Sequence, residues 1–326
     1  MTVLLTGAAG FIGFHVANAL LDRGERVVGV DSVNDYYDPA LKQARLDRLE
    51  GRNGFAFHRL DIADPAPLFE LVDATPDIET VIHLAAQAGV RYSLENPWAY
   101  ADANVRGQIG VLEASRRLPR LKHIVYASSS SVYGGNTKIP FAVGDPVERP
   151  VSVYAVTKRS GELLADTYAH LYGMALTGLR FFTVYGPWGR PDMAYFSFTK
   201  AILEGTPIQV FNSGEMKRDF TYIDDIVEGV LAAAGRPPKP DDAGRAHRIY
   251  NLGNHRAEPL PRFIEVIEKA CRREARKELV EMQPGDVKET YADIEASRRD
   301  LDFDPRTPID EGIPRFVAWF RDYYGV

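Results

Sequence analysis

Tyr154 and Lys158 stand four residues apart in the segment Ser152-Val153-Tyr154-Ala155-Val156-Thr157-Lys158, downstream of four successive serines, Ser128 to Ser131. On a helix that spacing puts both side chains on one face, about 6 Å apart. A free tyrosine titrates near pH 10, so it is a poor base at neutral pH. A neighbouring ammonium favours the phenolate and lowers that pKa. The pair is then a proton-transfer device, provided a cofactor lies alongside. Taken alone, the spacing also fits a surface aromatic and a surface lysine. The N-terminus decides between the two.

There an apolar run, Val3-Leu4-Leu5-Thr6, meets Gly7-Ala8-Ala9-Gly10-Phe11-Ile12-Gly13. A helical pattern follows through Val16, Ala17, Leu20 and Leu21 to Gly24, then a second strand, Arg26 to Val30, ending at Asp31. Strand, glycine turn, helix, strand and acid in register predict a dinucleotide-binding βαβ unit. Glycines let the backbone approach a pyrophosphate, and the helix N-terminus offers free N–H groups and a favourable dipole. Asp31 can accept from both ribose hydroxyls and would repel a 2′-phosphate, which favours NAD over NADP.

The totals fit a large α/β protein. The chain has 326 residues, 45% hydrophobic and 26% charged, with net charge −6. That length suggests one large unit, or a large domain with a smaller one. No long basic run points to nucleic acid. The cluster Arg272-Arg273-Glu274-Ala275-Arg276-Lys277 is interleaved with an acid and reads as the solvated end of a helix spanning 259–278. One cysteine, Cys271, excludes an internal disulfide and a cysteine metal cage. No metal site is expected. No apolar stretch reaches a membrane-spanning length. The first residues read as a buried strand rather than a leader, so a cytoplasmic location is expected.

Further along, Phe55 to Leu60 alternates like a strand, Pro67 to Val72 reads as a helix, and Val81 to Ala86 is a near-continuous apolar run expected of a buried parallel strand. Its small Ala85 and Ala86 permit close approach of a cofactor. His83, inside that strand, reads as a hydrogen-bonded core residue. Pro97 to about Leu118 reads as one helix, in which Gly107 costs about 1 kcal/mol against alanine and so implies a packing reason. His123 to Ala127 is the next strand, and the serines follow at its C-terminal end, where ligands bind in open α/β sheets. Asp225 is placed to cap a helix running to Ala234. Residues 308–323 read as an amphipathic helix.

The spacing Gly7-x-x-Gly10-x-x-Gly13 with Phe11-Ile12 resembles the extended short-chain dehydrogenase/reductase superfamily. The resemblance covers essentially the whole chain. It narrows to the nucleotide-sugar epimerases and most closely to bacterial UDP-glucuronate 4-epimerases. It is carried by Asn34-Asp35-Tyr36-Tyr37-Asp38, Ala86-Gln87-Ala88-Gly89-Val90-Arg91-Tyr92-Ser93, Arg180 to Pro187, Arg190-Pro191-Asp192-Met193-Ala194 and Arg218 to Asp225. It implies a Rossmann-like, doubly wound parallel sheet over residues 1–180, rejoined by about 220–235 and 248–255, with 181–326 mainly a smaller C-terminal α/β domain for a UDP-sugar. It also implies tightly bound NAD⁺ and a homodimer formed through the long helices near 97–118 and 152–172.

Residue by residue, the resemblance makes Tyr154 the acid/base, with Lys158 lowering its pKa and binding the nicotinamide ribose, and Ser129 hydrogen-bonding the C4 oxygen. The cofactor set is Gly7, Gly10, Phe11, Ile12, Gly13, Asp31, Asn34, Asp61, Ile62, Leu84, Ala85, Ala86, Asn104, Tyr154, Lys158 and Phe181. In the family the asparagine positions the catalytic region from behind. On the sugar side stand Ser129, Ser130, Ser131, Tyr154, Thr183 and Arg190. Gln209 and Phe211 meet the uracil, Arg218 clamps the diphosphate, and Asp286 holds the uridine ribose. Dehydrating relatives carry Asp-Glu, and decarboxylating ones Ser-Glu, where this chain has Ser130-Ser131. Oxidation at C4 of a glucuronate makes a β-keto acid prone to lose CO₂. The serine hydroxyls and Arg190 are therefore expected to hold the carboxylate in a plane that disfavours cleavage, unless Arg190 pairs with Asp192 at the surface. Two positions depart from the wider pattern: Trp188 stands where many relatives have arginine, and Gln283 where galactose epimerases have arginine. The expected activity is isomerisation of UDP-glucuronate at C4. A neutral UDP-hexose 4-epimerase, a UDP-glucuronate decarboxylase and a non-catalytic NAD-binding protein are the alternatives.

Overall fold

Apolar runs lie on strands as the sequence suggests, and the computed structural model describes residues 1–281 and 288–326. Strands β1 (Thr2–Thr6), β2 (Arg26–Asp31), β3 (Phe55–Arg59), β4 (Ile78–His83), β5 (His123–Ser129) and β6 (Leu176–Phe181) join the strand His247–Leu252 in one sheet. Its order is β3-β2-β1-β4-β5-β6 and then His247–Leu252, all parallel. Val3 and Leu5 face one core and Leu4 the other, as the two-residue period of a strand requires. Each buried leucine contributes about 2 kcal/mol. Helices Phe11–Asp22 and Ile223–Ala234 fill the first core; Pro65–Ala74 and Gly107–Arg116 fill the second. This is the expected Rossmann-like sheet. The strand order reverses between β1 and β4, and ligands bind at the carboxyl ends beside such a reversal.

Smaller strands lie outside this sheet. Thr183–Tyr185 pairs with Phe220–Tyr222, Ile208–Phe211 with Lys277–Val280, and Lys217–Arg218 with both Glu258–Pro259 and Glu289–Thr290.

Several boundaries differ from the sequence reading. β4 stops at His83, which leaves Leu84, Ala85 and Ala86 as irregular chain beyond it. β5 runs on to Ser129. The helix expected over 259–278 ends at Cys271, because Arg272 turns left-handed at φ +51°. No apolar face continues through Arg272 to Arg276, and Lys277–Val280 becomes a strand. Asp225 does not cap its own helix; its two oxygens accept from the backbone N–H groups of Arg306 and Thr307. The helix after Pro97 does form, but a π turn, Ala101–Arg106, separates Pro97–Tyr100 from Gly107–Arg116. Gly107 has the packing reason expected of it: a Cβ there would lie 2.8 Å from Ile62 Cδ1.

Candidate active site

The glycine turn is tight for a backbone reason. A Cβ on Gly13 would lie 2.0 Å from the Gly7 carbonyl oxygen, and one on Gly7, where φ is +78°, would lie 2.7 Å from Ala85 N. No side chain fits between the turn and the end of β4. The turn opens on a cavity of about 240 Å³ lined by Gly7, Gly10, Phe11, Ile12, Gly13, Asp31, Asn34, Leu84, Ala85, Ala86, Lys158 and Phe181. Gly10 is the N-cap of helix Phe11–Asp22 and receives no side-chain cap, so the first helical N–H groups face that space. Asp31 accepts from Ala9 N at 3.1 Å and Val33 N at 2.8 Å, one on each oxygen. Each oxygen keeps a lone pair for a hydroxyl. A turn without side chains, free helix N–H groups and an acid on the next strand suit a dinucleotide.

Not every expected cofactor residue reaches this cavity. Asp61 is exposed and its carboxylate accepts from Ala63 N at 2.9 Å. Ile62 is buried against Gly107 and Gly110. Neither is among the lining residues. Asn104 is not either. From the π turn it accepts from Gln87 N at 2.8 Å and donates to Gln87 O and Thr157 Oγ1, both at 3.0 Å. It therefore braces a cavity-lining residue and the helix that carries Lys158. His83 is a core residue as expected: its Nδ1 lies 2.7 Å from Thr6 Oγ1, and burial pushes its pKa down to about 3.

Helix Val153–Tyr172 starts where Ser152 Oγ accepts from Ala155 N at 3.1 Å. It brings Tyr154 and Lys158 onto one cavity wall beside Ser129. Lys158 Nζ donates to Ala127 O at 3.0 Å, and burial, with the nearby Arg190 cation, lowers its pKa to about 8. Tyr154 lines the same wall. Its pKa is raised, because burial outweighs a hydrogen bond from Ser129 and the field of Arg190, which act to lower it. Arg190 is one cation that eases ionisation of the phenol.

The serines divide by strand alternation. Ser128 donates to Glu162 at 2.6 Å, and Glu162 is locked by a two-pronged pair with buried Arg180 at 2.8 and 2.9 Å. Ser129 accepts from Ser131 N at 3.1 Å and hydrogen-bonds Tyr154. Ser130 and Ser131 line a second cavity of about 680 Å³ that shares Ser129, Tyr154, Phe181, Phe182 and Arg190 with the first. Thr183, Gln209, Phe211 and Arg218 line it as well. Arg218 Nη1 donates to Lys217 O at 2.9 Å. Asp286 and Gln283 lie outside the described residues.

Arg190 lies in this wall and pairs with Asp192, with Nε at 3.0 Å from Oδ1. The pairing foreseen for the surface thus occurs inside the cavity. Asp192 lines it too, as do two residues to which the sequence reading assigned no role: Tyr36, and Arg91, whose guanidinium lies 4.4 Å from the Phe211 ring centroid. Arg91 follows a buried strand in a segment already singled out, which was the available signal. Trp188 at φ +63° presents its carbonyl to buried Arg45, at 2.7 Å from Nη2. Among the described residues no group of three His, Cys, Asp or Glu could hold a metal ion.

Comparison with known proteins agrees with this geometry. A model of the NAD dependent epimerase/dehydratase family matches residues 3–253. Protein CapI of Staphylococcus aureus is 48% identical over 99% of both chains. UDP-glucuronate 4-epimerase 4 of Arabidopsis thaliana is 48% identical over 99% of this chain and 76% of its own. UDP-glucuronic acid 4-epimerase from Bacillus cereus, crystallised with UDP-glucuronic acid and NAD, superposes with a TM-score of 0.90 at 34% identity, covering 99% of this chain and 100% of that one. With its glycine turn, its Tyr154–Lys158 helix and matches of this extent, the chain belongs to the NAD dependent epimerase/dehydratase family.

Proposed function

We propose that this protein interconverts UDP-glucuronate and UDP-galacturonate by inverting C4. The observation that carries the reading is the shared wall of the two cavities. Tyr154 and Ser129, next to the cofactor space, face a sugar space whose wall holds Arg190 as a cation and Ser131, at the position where, by the resemblance, decarboxylating relatives carry an acid. Gly7, Gly10, Gly13 and Asp31 would hold NAD⁺, which would supply the hydride acceptor and donor for C4. Tyr154 takes the C4 hydroxyl proton as the C4–H bond breaks, which leaves a C4 carbonyl, and gives the proton back when the other face is reduced. Ser129 donates to the C4 oxygen. Ser129, Ser130 and Ser131, with Arg190, hold the carboxylate away from the orientation that releases CO₂, and Thr183 lines the same wall. Gln209 and Phe211 take the uracil and Arg218 the diphosphate.

Tyr154 starts with a raised pKa, so its ionisation depends on positive charge near the ring. Arg190 supplies part, and the nicotinamide charge adds to it. Lys158 donates to Ala127 O and, in this reading, binds the nicotinamide ribose.

The same Arg190–Asp192 pair favours a second reading, a neutral UDP-hexose as substrate, because the paired cation carries no net charge toward the sugar. Incubation with UDP-glucuronate, with and without added NAD⁺, followed by NMR of the sugars, tests the choice. UDP-galacturonate without net NADH is expected. A pentose with CO₂ would remove the role given to the serines, and turnover of UDP-glucose alone would select the second reading.

We further propose a cytoplasmic homodimer, with an NAD domain over 1–180 plus about 220–235 and 248–255. The return of His247–Leu252 to the sheet supports that division. Exposed Trp98 on Pro97–Tyr100, Ile109 on Gly107–Arg116, and Val156, Leu163 and Leu171 on helix Val153–Tyr172 support the dimer. No helix among the described residues is long and apolar enough to cross a membrane.

A further inference from the structure

Two residues beyond Arg190 the chain places an acid in the same cavity wall. Asp192 Oδ1 accepts from Arg190 Nε at 3.0 Å, and its Oδ2 accepts from Nη2. Tyr36 Oη approaches the same Oδ2 at 3.4 Å from another segment. Arg190 Nη1 makes no hydrogen bond to the described residues. The side chains of Arg190 and Asp192 are 23% and 27% exposed. The loop that carries them is fixed from behind. Arg45 donates through Nε and Nη2 to Trp188 O at 3.2 and 2.7 Å, through Nη2 to Gly189 O at 3.2 Å, and through Nη1 to Ala9 O of the glycine turn at 2.8 Å. The pair is therefore set in a rigid wall between the cofactor and sugar spaces.

We propose that Asp192 is a specificity-determining residue: a resident carboxylate that neutralises Arg190 and thereby limits how tightly an acid sugar is held. The proposal rests on the reading of Arg190 as the cation that meets the sugar carboxylate. With the Nε–Nη2 edge filled, an incoming carboxylate takes the Nη1 end of the guanidinium. Asp192 then acts on it in two opposite ways. It orients the guanidinium, and losing that orientation weakens binding about two- to tenfold. It also repels a second carboxylate. At roughly 6 Å and an effective dielectric of about 20, that repulsion weakens binding about a hundredfold. Salt and solvent reduce the second effect at a partly exposed site but leave it the larger. Repulsion therefore decides the sign. Asp192 loosens the grip on UDP-glucuronate and its product, which favours release, and scarcely touches a neutral sugar.

The test is calorimetric titration of UDP-glucuronate and of UDP-glucose into NAD-loaded protein carrying Tyr154→Phe, which stops turnover. Adding Asp192→Asn is expected to tighten UDP-glucuronate about tenfold and to change UDP-glucose less than about threefold, as the charge argument requires. Asp192→Glu keeps the charge and is expected to keep the parent affinity for UDP-glucuronate. Weaker or unchanged binding of UDP-glucuronate to the Asn variant, or equal tightening of both sugars, overturns the proposal. Arg190→Ala separates the two levels. If it leaves the preference for the acid sugar intact, the reading of Arg190 fails. If it abolishes that preference while Asp192→Asn does not tighten binding, only the role of Asp192 fails. Melting curves of each variant confirm that the fold compared is the same.

Discussion

The cofactor cavity and the sugar cavity share Tyr154, Ser129 and Arg190 but are built from different materials. The cofactor side is mostly backbone. Gly7 and Gly13 leave no room for a Cβ, and Ala85 closes against Gly7. The sugar side is mostly side chains, among them Ser129, Ser130 and Ser131, Arg91 over Phe211, and an Arg190–Asp192 pair. A backbone cradle tolerates almost no change and recognises a constant ligand. A wall of side chains can be altered one group at a time, so it is the part that can distinguish sugars.

The comparison can be broken, or sharpened, by substitution. The largest effect is expected where the two cavities meet. Tyr154→Phe should lower kcat by about a thousandfold, as loss of a general acid/base does, with NAD content and melting unchanged. Turnover within tenfold of the parent would remove Tyr154 from the chemistry. On the cofactor side, Gly13→Ala must displace the Gly7 carbonyl. It should cost about 3 kcal/mol or more and abolish bound NAD, read by melting and by the absorbance of released nucleotide. Full NAD content in that variant would show that the cradle is less rigid than its geometry implies.

Acid should strike the same half of the molecule. Burial lowers the pKa of His83 to about 3 and those of His15 and His123 to about 4. The unfolded chain therefore binds more protons below pH 6.5, and the stability these groups contribute is lost as pH falls through that range. Asp219 runs the other way. Burial raises its pKa to about 6, so its penalty is relieved over the same interval. The net loss from pH 7 to 5.5 should be about 3 kcal/mol, visible as a lower Tm. A Tm that holds steady over that interval would mean that these histidines titrate in the folded protein. The smallest effect belongs to the sugar wall. Arg218→Lys exchanges a planar fork for a point charge and should weaken UDP-sugar binding about tenfold, with Tm and the acid-sugar preference unchanged. A shift in that preference would place Arg218 at the sugar rather than the diphosphate.

The same contrast explains what was legible in the sequence. Gly7 to Asp31 form a contiguous unit whose spacing already states its geometry, so the cradle and the sheet could be read directly. The helix bearing Tyr154 and Lys158 was legible for the same reason. Their electrostatics were not. Burial raises Tyr154 and lowers Lys158, and burial depends on which elements close over them. Asn104 and Ile62 fit the family pattern, yet they act behind the cavity, a distinction that only packing reveals. The sugar wall draws on Tyr36, Ser131, Arg190 and Phe211, far apart in the chain, so no local spacing announces it. The resemblance pointed to Arg190. Asp192 was legible only as its surface partner, and its place in the cavity depends on a loop held by Arg45.

Helix Val153–Tyr172 has 20 residues and is thus about 30 Å long. Its first turn carries Tyr154, while Leu163 and Leu171 farther along stand exposed. Because a helix moves as a stiff rod, a small tilt imposed at its apolar end swings the phenol at the other end by a comparable amount. A partner that covered those leucines would press on the same rod that carries the proton-transfer group. A change distant from both cavities, made only on that outer stripe, should therefore be felt as a change in rate before it is felt as a loss of fold.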